Sequence, residues 1–198
     1  MTRTVGILAY GSLIGDPGTE IEPVILCRID CRTPFKVEFA RTSESRKGGP
    51  TLVPYNNGTE VSAQVLVVDL PLSEATDRLY RRELHKVGER IVYDASRKVA
   101  LNRVIINTLQ DFEEVNKVLY TSIGANIEEL TATKLAKLAI ASARVLTNGN
   151  DGISYLIHAK KAGIRTPLSD EYEAEIKHLT GTASLKEALA ELRAKTSP

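Results

Sequence analysis

The chain has 198 residues, 42% of them hydrophobic, and its 26 basic residues are balanced by 25 acidic ones to a formal charge of +1. That composition excludes a disordered polymer, and the absence of a long basic run removes the electrostatic ground for a nucleic-acid partner. No segment has the length of a signal peptide or a membrane span, so a cytoplasmic protein is expected, with no membrane partner and its oligomeric state open.

In chain order, the first half reads as strands. Val5 to Tyr10, Pro23 to Arg32, Phe35 to Arg41, Thr51 to Tyr55 and Val61 to Leu70 are apolar or alternating runs separated by turn residues, among them Gly48-Gly49-Pro50 and the hairpin signal Asn57-Gly58. A helix is expected from Ser73, with Glu74 in its first turn, to about Val87, with Gly88 as its stop. Short strands follow over Arg90 to Tyr93, Arg103 to Leu109 and Val115 to Ser122. Four helices complete the pattern. They run Thr131 to Leu146, Ile153 to Ala162, Asp170 to Leu179 and Leu185 to Lys195, the last opening on the capping-box spacing of Ser184 and Glu187. Strands first and helices after give an α+β class with a small mixed, barrel-like sheet. The expected division is a sheet domain over residues 1–125 and a C-terminal helical appendage over 126–198 packed on it.

The two cysteines, Cys27 and Cys31, are four residues apart in one strand, about 13 Å at ~3.3 Å per residue and beyond disulfide reach. They read as packing residues. The three histidines, His85, His158 and His178, are scattered, so no metal site is expected.

Two features carry chemistry. The buried-strand run ending in Tyr10-Gly11-Ser12-Leu13 turns sharply at a strand end, where consecutive N–H groups can hold a carboxylate or an oxyanion. On the Leu72 to Val87 helix, at ~100° per residue, Leu72, Leu79 and Val87 share one stripe with Ala75 and Thr76 beside it. Glu83 lies within that stripe, whereas Glu74, Arg81 and His85 point away. An ion pair with Arg82 or Lys86 accounts for Glu83 structurally; a general acid/base in a partly apolar cleft accounts for it functionally. Further pocket candidates are Arg41 as a carboxylate fork, Gly49 as a point of backbone approach, and the tyrosines Tyr93 and Tyr120, each with a packing or surface role as its plain alternative. A Ser-His hydrolase lacks its Gly-x-Ser-x-Gly frame, since only Gly11-Ser12-Leu13 is present.

The strand, the Tyr10-Gly11-Ser12-Leu13 turn and the later helix carrying Arg81-Arg82-Glu83 together resemble the γ-glutamylcyclotransferase superfamily, its ChaC-like branch included. Gly48 to Pro54 is similar to the family's following glycine-led strand, and Asn150 to Leu156 to its C-terminal helical portion. The resemblance implies a γ-glutamylcyclotransferase-like fold and a cofactor-independent lyase or transferase. In the implied reaction the α-amino group of a γ-glutamyl amide attacks its own γ-carbonyl, releasing 5-oxoproline and an amine. It also implies that Tyr10, Gly11, Ser12 and Leu13 hold the γ-glutamyl group and that Glu83 is the acid/base. The substrate is then a small molecule such as glutathione, a γ-glutamyl amino acid or a γ-glutamyl amine. A non-catalytic small-molecule binding or regulatory module on the same fold is the alternative.

Overall fold

A computed structural model describes residues 3–96 and 102–194 of the chain. It is a mixed α+β fold whose chain divides into two compact units, residues 1–34 with 62–124 and residues 35–61 with 125–198. The second unit combines the expected helical segment with residues 35–61, which come from the strand-rich half.

The first unit is built on a five-stranded mixed sheet. Its strands are β1 (Arg3–Ala9), β2 (Ile25–Arg32), β5 (Ser62–Val68), β6 (Ile105–Phe112) and β7 (Val115–Ser122), in the order β2-β5-β1-β7-β6. β1 is central, antiparallel to β5 and parallel to β7, with Gly6 opposite both Val67 and Val118. The described pairings leave β2 and β6 as edges, so the sheet is open among the described residues where a barrel-like closure was expected. β1 needs apolar side chains because it is buried on both faces, and Val5, Ile7, Leu8 and Ala9 meet that need. Gly6 is required there by space, since a Cβ would stand 2.6 Å from Val65 Cγ1.

The helix α2 (Leu72–Glu83) covers one face of this sheet. Its Ala75 and Leu79, one turn apart, pack with Val5, Ile7, Ala9, Leu66, Val68 and Leu119 into a single core that also takes Leu13 and Ile21. α2 differs from expectation at both ends. Pro71, not Ser73, precedes it without a side-chain cap, and it stops at Glu83 rather than Val87. The cause of the early stop is a Schellman closure: Lys86 N–H donates to Arg81 O at 2.9 Å and His85 N–H to Arg82 O at 3.1 Å, with His85 at φ 55° in the place glycine usually takes. Val87 therefore falls outside the helix and 39% exposed, so the stripe that was to run past Glu83 ends at Leu79.

Arg90 to Tyr93 forms no strand; it is an irregular segment tied to α2 by Arg81 Nη1 donating to Ile91 O (3.0 Å) and Tyr93 N–H donating to Asp77 Oδ1 (2.7 Å). β6 and β7 are joined by the two residues Glu113 and Glu114, both at positive φ (51° and 59°), a hairpin with no glycine or asparagine to announce it. Cys27 and Cys31 are free and half-buried on one face of β2, and burial pushes the Cys31 thiol up to about 11.

The second unit holds the hairpin β3 (Val37–Ser43) and β4 (Gly49–Pro54) with helices α3 (Ala132–Val145), α4 (Gly152–Lys161), α5 (Ser169–Thr180) and α6 (Leu185–Ala194). The Asn57-Gly58 turn forms, with Gly58 N–H donating to Tyr55 O. Its outgoing chain bonds back through Thr59 to Val37 of β3, and β5 then joins the other sheet instead of pairing with β4. The helix starts follow their caps: Thr131 accepts from Lys134 N–H, Asp151 from Ser154 N–H, and Ser184 from Glu187 N–H while Glu187 accepts from Ala183 N–H. α6 is described to Ala194; Lys195, its expected last residue, lies outside the described residues. Phe39 packs edge-on against both Tyr155 and Tyr172 in this unit's core. No helix among the described residues is long and apolar enough to cross a membrane.

Candidate functional site

The candidate turn leaves the carboxyl end of the central strand β1. Gly11 adopts φ 65°, ψ −131°, a conformation that side chains strongly disfavour, and it starts the single helical turn α1 (Ser12–Gly15). Leu13 drops into the core beneath the turn and pins it. The Tyr10 hydroxyl donates to Thr121 O of β7 at 2.8 Å, so that side chain braces the strand end. Within the hydrogen bonds of the described residues, the N–H groups of Ser12 and Leu13 have no backbone acceptor; the turn's bonds instead use Ile14 N–H to Gly11 O and Asp16 N–H to Ser12 O.

Two arginines hold the carbonyls of this loop. Arg28 Nη1 donates to Ile14 O at 3.1 Å from β2, and Arg82 Nη2 donates to Asp16 O at 2.7 Å from α2. Arg82 does more than this. Its Nη2 also donates to Ser12 Oγ at 3.3 Å, and its Nη1 donates to Glu83 Oε1 at 2.7 Å. One guanidinium therefore contacts both the turn and the carboxylate that were singled out separately in the sequence. The side chains of Arg82 and Glu83 are 12% and 22% exposed, so the pair is largely shielded yet reachable. Glu83 is the last residue of α2, where the helix dipole disfavours an anion by about 0.3–1 kcal/mol, and the adjacent guanidinium offsets that cost.

Glu20 secures the same helix end from the other side. Its Oε2 accepts from Arg81 Nε (2.9 Å) and Nη2 (2.7 Å), its Oε1 accepts from Gly88 N–H (2.7 Å), and its backbone carbonyl accepts from Arg78 Nη1 (2.5 Å). The Arg81 guanidinium holds the Glu20 carboxyl below the ordinary glutamate value. Arg81, expected to point outward, is instead 15% exposed in this pairing.

The other candidates take structural places. Tyr93 lies edge-on to Tyr80 with centroids 5.1 Å apart, and its hydroxyl accepts from Ile106 N–H of β6. Tyr120 is half-buried in β7, one residue beyond Leu119; strand alternation turns it to the face opposite α2. Arg41 and Gly49 belong to the second unit. Arg41 is half-buried in β3. Gly49 starts β4 against Gly152 of α4: a Cβ on it would stand 2.9 Å from both Gly152 N and Ser142 Oγ. Ser142 Oγ completes that junction by accepting from Gly152 N–H and donating to Arg46 O, and Arg46 lies over the Tyr155 ring at 4.4 Å. The close approach that Gly49 permits is thus to the backbone at the start of α4.

Sequence reasoning named Arg82 as one partner for Glu83 but not its bonds to Ser12 and Asp16, and it missed Glu20. The Arg82–Glu83 ion pair is the one that a structural account of Glu83 expects, and helical spacing gives no hint of Arg82's further reach to Ser12 and Asp16. Glu20 sits between a Gly18 turn and a proline at Pro23, where no periodic signal exists. Among the described residues no three His, Cys, Asp or Glu side chains come together as a metal site. Comparison with models of known protein families finds no match, and comparison with curated proteins finds none.

Proposed function

We propose that the chain is a γ-glutamylcyclotransferase-like enzyme, with the corresponding fold, that closes a γ-glutamyl amide to 5-oxoproline in the cytoplasm without a cofactor. The observation that carries this reading is the Arg82 guanidinium bonded at once to Glu83 and to Ser12. It puts an acid/base group and a turn with free amides on one bridge. Their assignment to a γ-glutamyl substrate comes from the resemblance of Tyr10 to Leu13 and Arg81 to Glu83 to that superfamily.

In the proposed reaction the turn of Gly11, Ser12 and Leu13 holds the γ-glutamyl group, with its amides directed at the γ-carbonyl oxygen. Glu83 takes a proton from the substrate's α-ammonium. The freed amine attacks the γ-carbon, a C–N bond forms, and negative charge gathers on the oxygen beside the turn. Glu83 passes that proton to the amide nitrogen as the original C–N bond breaks. It then takes the second proton from the new ring nitrogen and yields it to the departing amine or to water, which leaves the lactam N–H and a free carboxylate. Nucleophile and electrophile belong to one molecule, so correct folding of the substrate is worth about 7–11 kcal/mol of the barrier and few protein groups are needed.

Purified protein incubated with glutathione, γ-glutamyl amino acids and γ-glutamyl amines tests the reading by chromatographic detection of 5-oxoproline. Release from at least one member with an equal amount of amine is expected. Calorimetric binding of these compounds without any 5-oxoproline would select the non-catalytic binding module instead.

A further inference from the structure

We infer that Arg82 is a positioning residue of this site, a role that rests on the ring-closing reading above. Side chains at consecutive helical positions diverge, and pairs at i and i+1 do not normally face each other. Arg82 and Glu83 nevertheless meet at 2.7 Å. They can do so because the helix ends at Glu83 and because Arg82 is anchored elsewhere, its Nη2 donating to Asp16 O at 2.7 Å and Ser12 Oγ at 3.3 Å. Space for its stem depends on Gly18, where a Cβ would press to 3.1 Å on Arg82 Cγ.

The consequence is a fixed carboxylate. A glutamate at a helix C-terminus is repelled by the last carbonyls and, left alone, turns toward water. The guanidinium instead ties Glu83 Oε1 to the frame of the Ser12 turn, and it leaves Oε2 without a hydrogen-bond partner among the described residues. Oε2 is then the oxygen that exchanges a proton with the substrate amine. Arg82 contributes by holding that oxygen in place, so its removal acts on turnover rather than on binding. Lysine cannot substitute fully, because a single ammonium nitrogen lacks the planar fork that spans Glu83, Ser12 and Asp16.

The test compares wild type, Arg82→Met and Arg82→Lys on the γ-glutamyl amide that the wild type turns over fastest, with thermal unfolding measured alongside. Displacing an acid/base group by about 1 Å costs on the order of 100-fold. Arg82→Met is therefore expected to lose about 100-fold in kcat with KM changed by less than about threefold, and millimolar guanidinium ion is expected to restore part of the rate saturably. Arg82→Lys should fall between the two. An unchanged kcat overturns the inference, as does a loss confined to KM, which would make Arg82 a substrate contact. A loss that follows unfolding, is not rescued by guanidinium and is absent in a folded Arg82→Lys overturns it as well. If the wild type itself releases no 5-oxoproline, the ring-closing reading falls and takes this role with it; an active wild type matched by Arg82→Met removes only the role of Arg82.

Discussion

Replacing Glu20 by glutamine removes the charge that holds the tail of α2 while leaving a side chain of the same shape. Glu20 accepts three hydrogen bonds on its carboxylate, two from the Arg81 guanidinium and one from Gly88 N–H, and both partner side chains of the ion pair are at least four-fifths buried. A hydrogen bond to a charged group contributes about 1.5–3 kcal/mol, and the one acceptor oxygen of glutamine can keep either the two Arg81 bonds, now uncharged on one side, or the Gly88 bond, but not all three. Arg81 also keeps Ile91 O as a partner, so the expected net loss is about 2 kcal/mol at neutral pH. Its pH dependence has a definite sign. Arg81 lowers the Glu20 carboxyl in the folded state, so this stabilisation is complete above the unfolded glutamate value and disappears as pH falls through the folded one. Urea unfolding of both proteins at pH 7 and pH 3, with amide exchange at Gly88, measures both effects. Equal stability at pH 7, unaltered protection of the Gly88 amide, or a gap that widens in acid would show that Glu20 does not hold this helix end.

Two further substitutions probe packing and backbone strain. Gly49→Ala places a methyl group 2.9 Å from Gly152 N, against backbone that cannot step aside, and should destabilise the second unit by about 1–3 kcal/mol in thermal unfolding, with faster amide exchange in the first turn of α4. An unchanged melting temperature would contradict the close approach described. Replacing the loop Glu113-Glu114 by Asn-Gly relieves two residues held at positive φ; it should raise stability by about 1–2 kcal/mol, and a loss would show that the acidic side chains do something the backbone geometry does not reveal.

Most of the fold was legible because its signals are local. Thr131, Asp151 and Ser184 announce helices through side-chain caps that act within three residues, Gly181 closes α5 in the left-handed conformation, and the alternation over β2 states which side chains face inward. The misreadings have local causes too. His85 takes the helix-closing position that glycine usually fills, so α2 ends one turn before Val87, and Glu113-Glu114 makes a tight hairpin without turn residues. The Asn57-Gly58 turn was visible, but the sheet its outgoing strand joins depends on partners far along the chain. At the candidate site, Glu83 and the Tyr10 to Leu13 turn could each be picked out from pattern. Their link could not, because Arg82 reaches Ser12 across 70 positions and Arg81 reaches Glu20 across 61, and no period in a sequence encodes such a pairing.

If Glu83 moves the protons of a ring closure, its removal must show in the release of 5-oxoproline from a γ-glutamyl amide, measured for wild type and Glu83→Gln at equal concentration. Glutamine keeps the shape and a hydrogen-bond acceptor for Arg82 but cannot exchange the proton. It also weakens a largely shielded charge-assisted hydrogen bond of about 1.5–3 kcal/mol, while keeping an acceptor for Arg82 and relieving a helix-end penalty of about 0.3–1 kcal/mol, so a stability loss of about 1–2 kcal/mol is expected. A folded variant whose rate falls by about 100-fold or more is expected, the usual contribution of a positioned acid/base. A folded Glu83→Gln protein that releases 5-oxoproline at the wild-type rate would contradict that role for Glu83.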